Sequence, residues 1–367
     1  YNPTAPEPEF EYLDDTGLGN EILGKGENPN PLPQAVQDAY SPNNPAQSEP
    51  APQSTLDALE NAKQLAQHAE KLGYHRLWIA EHHNMKGIAS SATSVLLGYL
   101  AANTSTLRLG SGGIMLPNHA PLVVAEQFGT LETLYPDRID LGLGRAPGTD
   151  QTTMRALRRG RFETEEQFPQ DVNEILTYFD DAKAGQQIIA VPGQGSKVPV
   201  YLLGSSLFSA QLAARLGLPY AFASHFAPRM MMQAIALYRE NFQASAYLDK
   251  PYVIIGVPSL VAESDEEAKY LATTNYQRIL ALIRGQPTNL VPPVASMDGL
   301  WSEVEKRGVE GFFGVEQTGS KETVKYGLEE LLQRTQADEF IFTCDVYDPE
   351  KRLKSFELLK QVQAESQ

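Results

Sequence analysis

The stretch Tyr74-His75-Arg76-Leu77-Trp78-Ile79-Ala80-Glu81-His82-His83-Asn84 decides the fold. Leu77-Trp78-Ile79-Ala80 reads as a short buried strand that ends abruptly in one carboxylate and two adjacent imidazoles. In parallel barrels and doubly wound sheets, chemistry sits where strands emerge at their carboxyl ends. Titratable groups at such an exit point to a substrate or cofactor pocket. The competing reading is a zinc or a structural histidine pair. A helical metal pair, however, wants one-turn spacing, as in H-E-x-x-H, and neighbouring side chains diverge. The pocket is favoured, and no metal is assigned.

Outward from this stretch the chain alternates. Ser54 or Thr55 caps a helix with Leu56, Leu59, Leu65, Ala66, Ala69 and Leu72 on its apolar face, and Gly73 closes it. Strands are predicted at Arg76–Ala80, Leu107–Leu116, Ile139–Leu143, Val200–Leu203, Tyr220–Ala223, Tyr252–Val261 and Glu339–Thr343, with a weaker one at Phe312–Val315. Helices are predicted at Ala92–Asn103, Leu122–Leu134, Thr164–Phe179, Leu207–Leu216, Arg229–Asn241, Asp265–Ile283, Met297–Lys306 and Lys321–Thr335, and from Glu350 onward. Ala182–Lys197 reads as a polar excursion outside the sheet. Strict alternation means a parallel sheet with right-handed crossovers, and the number of units favours closure. The expected fold is α/β, a TIM-like (β/α)8 barrel with insertions and an irregular N-terminal arm. Residues 1–54, punctuated by proline from Pro3 to Pro52, form the expected arm or insertion, and 55–367 the barrel.

Bulk properties narrow the function. A net charge of −16 argues against nucleic acid, which needs a clustered basic footprint, and against anionic membrane surfaces. Cys344 is the only cysteine, so no intrachain disulfide forms. No run approaches a membrane span and no basic-then-apolar signal opens the chain, so a soluble, cytoplasmic protein is expected.

Three further strand ends repeat the theme. Ser111-Gly112-Gly113-Ile114-Met115-Leu116-Pro117-Asn118-His119 puts paired glycines inside a strand, where they mark a bulge or kink or the close approach of a ligand. Asp140-Leu141-Gly142-Leu143-Gly144-Arg145 lacks a full dinucleotide fingerprint, but Arg145 at a strand exit reads as a phosphate or carboxylate clamp rather than a surface ion pair. Leu202-Leu203-Gly204-Ser205-Ser206-Leu207-Phe208-Ser209 turns a strand into a helix whose first-turn N–H groups are unpaired. Plain serine capping is the alternative, but Ser205, Ser206 and Ser209 exceed what a cap requires, which favours phosphate. His225 follows another strand. With no Cys/His cluster and no paired carboxylates, metal hydrolysis and glycosidase chemistry are unsupported.

Taken together these motifs resemble the bacterial luciferase-like flavin-dependent monooxygenases. R-L-W-I-A-E-H-H-N, S-G-G-I-M-L-P-N-H, R-I-D-L-G-L-G-R-A-P-G-T-D, L-L-G-S-S-L-F-S and D-V-Y-D-P-E-K-R-L match in order, from about Thr55 to Lys360. The resemblance implies a barrel that binds FMN, reduced by a separate flavin reductase, and commonly a homodimer, with the helices Ala92–Asn103 and Leu122–Leu134 as its contact. It implies that reduced FMN and O2 form a C4a-peroxyflavin that oxidises a small, aldehyde-like or other organic substrate. His82 matches the family's base, His83 its neighbour, and His225 belongs with them at the catalytic rim. Gly112-Gly113 matches a non-prolyl cis peptide beneath the flavin. Arg145, Gly204, Ser205, Ser206 and Ser209 match the phosphate site, with Ser205 where an acidic residue is common, and His119 is placed among the residues that contact the cofactor or substrate. The segment Gly148–Thr164, with Arg155, Arg158, Arg159 and Arg161, is a candidate lid. The family's first strand has no obvious counterpart here: it lies upstream of Tyr1, the preferred reading, or is rebuilt from Glu9–Asp14. A deazaflavin-dependent oxidoreductase and a non-enzymatic flavin-binding protein are the alternatives.

Overall fold

Each predicted strand but one forms where the apolar run stands, and each exits at one common rim. The structure, a computed structural model, describes residues 54–85, 87–146, 149–158 and 166–365. The arm and the Glu9–Asp14 candidate lie outside these residues. Strands β1 (Arg76–Ile79), β2 (Arg108–Met115), β3 (Ile139–Gly144), β4 (Val200–Gly204), β5 (Tyr220–Phe222) and β6 (Val253–Val261) pair in parallel in that order. The short β7 (Gln317–Gly319) pairs with the far end of β6, while β8 (Glu339–Thr343) pairs with its Ile254–Pro258 segment. The wall therefore runs β1 to β6 and then β8, a curled parallel sheet. Among the described residues β1 and β8 leave their outer edges unpaired, facing a slot.

Helices cover the outside: α1 (Thr55–Lys71), α2 (Thr93–Ala102), α3 (Pro121–Leu134), α4 (Gln151–Arg158), α5 (Phe168–Phe179), α6 (Leu207–Leu216), α7 (Met231–Glu240), α8 (Asp265–Ile283), α9 (Glu303–Phe312), α10 (Lys321–Thr335) and α11 (Pro349–Glu365). α1 starts on a capping box in which Ser54 and Asp57 satisfy each other's orphan backbone donors. The core between strands and helices is aliphatic and aromatic, with Leu97, Leu109, Phe128, Ile139 and Phe222 essentially inaccessible.

The amino end of the barrel is closed by charge instead. Asp140, fully buried, accepts from Arg76 (2.5 Å), Arg108 (2.5 Å) and the Trp78 indole (3.1 Å), and Arg76 also reaches Glu339 at 2.9 Å. A buried carboxylate holding so many charge-assisted bonds ties β1, β2, β3 and β8 together at the face a parallel barrel reserves for stability.

Two elements depart from expectation. The helix predicted at Met297–Lys306 starts at Glu303, because Ser302 and Glu305 form a capping box there and Gly299 (φ 80°) turns the chain just before. The strand predicted at Phe312–Val315 is displaced to Gln317–Gly319. Phe312 and Phe313 instead close an aromatic cluster with Tyr276 and Trp301 on the outer side of α8.

Candidate functional site

The strands end around a cavity of about 1070 Å³ that extends from the rim into the β1–β8 slot. Ala80, Gly112, Gly113, Met115, Arg145, Ser205, Ser206, Ser209, His225 and Asp345 line it. Residues scattered over 265 positions thus converge because every strand in a parallel wall points its carboxyl end the same way.

The glycine pair does what a strand glycine usually does. The β2–β3 register shifts between Ser111 and Ile114, and the Ser111 hydroxyl fills the break by donating to the Gly142 carbonyl (2.8 Å) and accepting from its N–H (3.0 Å). A Cβ on Gly113 would lie 2.7 Å from the Gly142 oxygen, so only glycine allows this approach. The Gly112–Gly113 peptide is cis.

At the start of α6, the Ser206 side chain makes no capping hydrogen bond, so the helix's first-turn donors are not satisfied from there. Gly204 is required because a Cβ would meet the Ser209 hydroxyl at 2.2 Å. Arg145 crosses from β3 and stacks its guanidinium over Phe208, 4.4 Å from the ring centre. A helix N-terminus, serine hydroxyls and a guanidinium on one cavity wall form an anion cradle. These residues fit a flavin phosphate, and the flat glycine surface of β2 fits a ring system above it.

The β1–β2 side holds a hydrogen-bonded hub that joins His83 and His119, both expected at the site, through Glu81, to which the sequence assigned no role. Glu81, 1% exposed, accepts from His83 Nε2 (2.8 Å), from His119 Nε2 (2.8 and 3.0 Å) and from the Met115 N–H (3.1 Å). Burial pushes the Glu81 carboxyl upward, but these donors outweigh it and hold the acid below its ordinary range. Glu81, His83 and His119 bring ligand atoms within 4.8 Å of one another, a donor set that spacing along one strand end did not reveal. Each imidazole already faces the carboxylate at hydrogen-bond distance, and that bonding accounts for the geometry. His83 and His119 are thereby turned to Glu81, and neither is among the residues bordering the cavity. His82 is likewise absent from the cavity lining, and it lies close enough to His225 for its charge to bear on it.

His225 borders the cavity and lies tilted against Phe226. Its Nδ1 is buried, without a hydrogen-bond partner, against Gly256, where a Cβ would come within 3.3 Å. Burial, with Arg278 and His82 adding to it and Asp345 opposing, lowers its pKa to about 4, so the ring is neutral at pH 7. Next to it Arg278 of α8 binds Asp345 (2.6 Å) and Asn275. Burial and the nearby Asp345 raise the Glu316 carboxyl to about 7. Arg278 and Glu316 carried no sequence signal, whereas Asp345 opens the D-V-Y-D-P-E-K-R-L motif; only the fold brings the three together.

In the segment expected to act as a lid, α4 is anchored to the signature stretch. Asn84 donates to Asp150 (3.3 Å) and Thr153 (3.0 Å), and Thr149 donates to the His83 carbonyl. Arg158 is buried and bonded to Asn118, while Arg159 and Arg161 lie outside the described residues.

A profile described as luciferase-like monooxygenase matches residues 40–339. The chain belongs to the luciferase-like monooxygenase family. A luciferase-like monooxygenase from Escherichia coli K12 is 54% identical over 316 residues, 86% of this chain and 94% of that protein. The crystal structure of apo-MsnO8 superposes with a TM-score of 0.76 at 31% identity, covering 85% of this chain and 94% of its own. A type II Baeyer–Villiger monooxygenase component from Pseudomonas putida, solved with FMN, shares the fold with a TM-score of 0.61 at 17% identity, over 84% of this chain and 92% of that one. Among the described residues no helix is long and apolar enough to cross a membrane.

Proposed function

We propose that this family member is a cytoplasmic flavin-dependent monooxygenase that takes reduced FMN from a separate flavin reductase and uses O2 to oxidise a small organic substrate. The anion cradle formed by Arg145, Ser205, Ser206 and the uncapped start of α6, on the same cavity as His225 and the Gly112–Gly113 surface, carries the reading. When bound, the flavin supplies the oxygen-activating chemistry.

The protein's part is positioning and proton handling. Arg145 and the α6 terminus hold the phosphate and so fix the ring against β2. His82 is the proton-transferring group, since an imidazole works in both directions near neutrality. His225, kept neutral by burial, offers a hydrogen bond to substrate without adding charge. The Glu81 hub, with His83 and His119, holds the strand end from which His82 projects. Residues 1–54 are read as an arm and 55–367 as the barrel. A homodimer through α2 and α3 is supported by exposed Val95, Val123 and Leu134 on those helices, and sedimentation of the purified chain tests it.

The decisive experiment compares FMN with riboflavin. Arg145→Ala should weaken reduced FMN binding roughly 10- to 100-fold, the value of a charge-assisted bond, and leave riboflavin affinity unchanged. Equal losses for both ligands would refute the phosphate role. Substrate-dependent O2 uptake with reduced FMN, lost in His82→Ala while FMN still binds, tests the catalytic assignment. Turnover with a deazaflavin alone would replace the reading with hydride transfer.

A further inference from the structure

Behind the Asp345 side of the mouth lies a second cavity of about 280 Å³, lined by Tyr276, Trp301, Val309, Glu310 and Phe313. Phe313 stands 5.0 Å from the Tyr276 ring at 59°, and Trp301 stands 6.3 Å from it at 31°, so both rings pack against Tyr276. The Tyr276 hydroxyl donates to Glu316 (3.4 Å), and exposed Glu310 stands at the edge. An aromatic cluster serving only to cover Ile279 and Leu280 of α8 would be filled, and would have no use for carboxylates beside it.

We propose that this recess is a binding site for a small alkylammonium cation, held on the faces of Tyr276, Trp301 and Phe313 and neutralised by Glu310 and Glu316. Ring faces carry negative potential, and a weakly hydrated cation gains most there when carboxylates stand close by. A carboxylate ligand would meet only like charge: the nearby Arg278 is already engaged by Asp345 and Asn275. Glu316 faces the Tyr276 hydroxyl of α8, Thr318 of β7 and Asp345 beyond β8. Its elevated pKa gives the site a pH dependence, because a protonated Glu316 contributes no charge.

The site goes beyond the monooxygenase reading and is tested without flavin. Calorimetric titration of the full chain with choline, and with its neutral isostere 3,3-dimethylbutan-1-ol, should show choline binding roughly tenfold tighter. Choline affinity should rise several-fold between pH 6 and pH 8 and lose that rise in Glu316→Gln. Trp301→Leu should abolish binding. Should that variant fail to fold, Glu310→Gln, a surface change, should still weaken choline about threefold and leave the alcohol unaffected. Equal affinity for the two probes, no heat with choline, or binding indifferent to Glu310 and Glu316 would overturn the proposal. Because FMN binding is measured separately, failure here leaves the flavin reading standing, and failure there leaves this one.

Discussion

The two halves of the barrel mouth use similar residue types to opposite ends. On the β1–β4 half, Glu81 collects three donors, two imidazoles and a backbone N–H, and the resulting network holds the acid ionised despite burial. On the β5–β8 half, His225 and Glu316 are buried with few partners, and desolvation drives both toward their neutral forms. Burial therefore does not decide protonation by itself; the number of donors aimed at the group does. In the proposed function, the first half is the one that holds the flavin's anion and the proton donor. The second pairs a neutral imidazole with a carboxyl poised near neutrality, whose charge state a ligand can change.

The largest test of that contrast is Glu81→Ala. It leaves His83 and His119 without their shared acceptor and the Met115 N–H unpaired, and it should cost about 3 kcal/mol in denaturant unfolding with an unchanged m-value. Glu81→Gln, which keeps one acceptor oxygen, should cost less. If both variants are as stable as the parent, the hub has no structural role and the comparison fails on its better-ordered side.

The other half predicts pH effects of opposite sign. Burial holds His225 near 4, below its ordinary 6.5, so between those values the unfolded chain binds a proton that the folded site refuses. Its contribution is complete above pH 6.5 and lost as pH falls toward 4. Glu316 is raised from 4.5 to about 7, so its contribution is complete below pH 4.5 and lost as pH rises through 7. Each amounts to at most about 3 kcal/mol. Stability measured from pH 4 to 8 should fall more steeply between about pH 4.5 and 6.5 in His225→Gln, where the Glu316 loss is no longer opposed, and should rise over that window and stay flat above it in Glu316→Gln. Identical profiles in both variants would show that neither group is held as described.

Gly204→Ala probes the cradle's shape. Its Cβ would press on the Ser209 side chain at 2.2–2.6 Å, and relieving it should cost about 1–2 kcal/mol and weaken FMN more than riboflavin.

Much of this was legible in the chain. Apolar runs ending in glycine, arginine, serine or histidine marked the strand exits, and seven strands formed within a few residues of the reading. Two local signals were misread. The apolar Phe312-Phe313 pair suggested a strand, but those rings pack beside Tyr276, and the Ser302…Glu305 capping box that starts α9 was passed over. The Glu81 hub was half visible: the acid stands in the signature stretch, but its second imidazole comes from His119, 38 residues on, through strand pairing. Arg278 and Glu316 had no local signature, and Asp345 showed only as the first residue of D-V-Y-D-P-E-K-R-L, because their association depends on how far the sheet curls rather than on any spacing.

The smallest expected effect separates a serine that caps from one that waits for a ligand. Ser54, Ser264, Ser302 and Ser320 each accept the N–H three residues on at a helix start, while Ser206 in the equivalent place at α6 does not. Ser302→Ala should therefore cost about 1 kcal/mol of stability with no change in flavin affinity. Ser206→Ala should cost under about 0.5 kcal/mol and instead weaken FMN relative to riboflavin, the loss appearing only where a phosphate can use the donors. Equal destabilisation by the two substitutions would mean that Ser206 is an ordinary cap, and the β1–β4 half would lose its claim to have been left open for an anion.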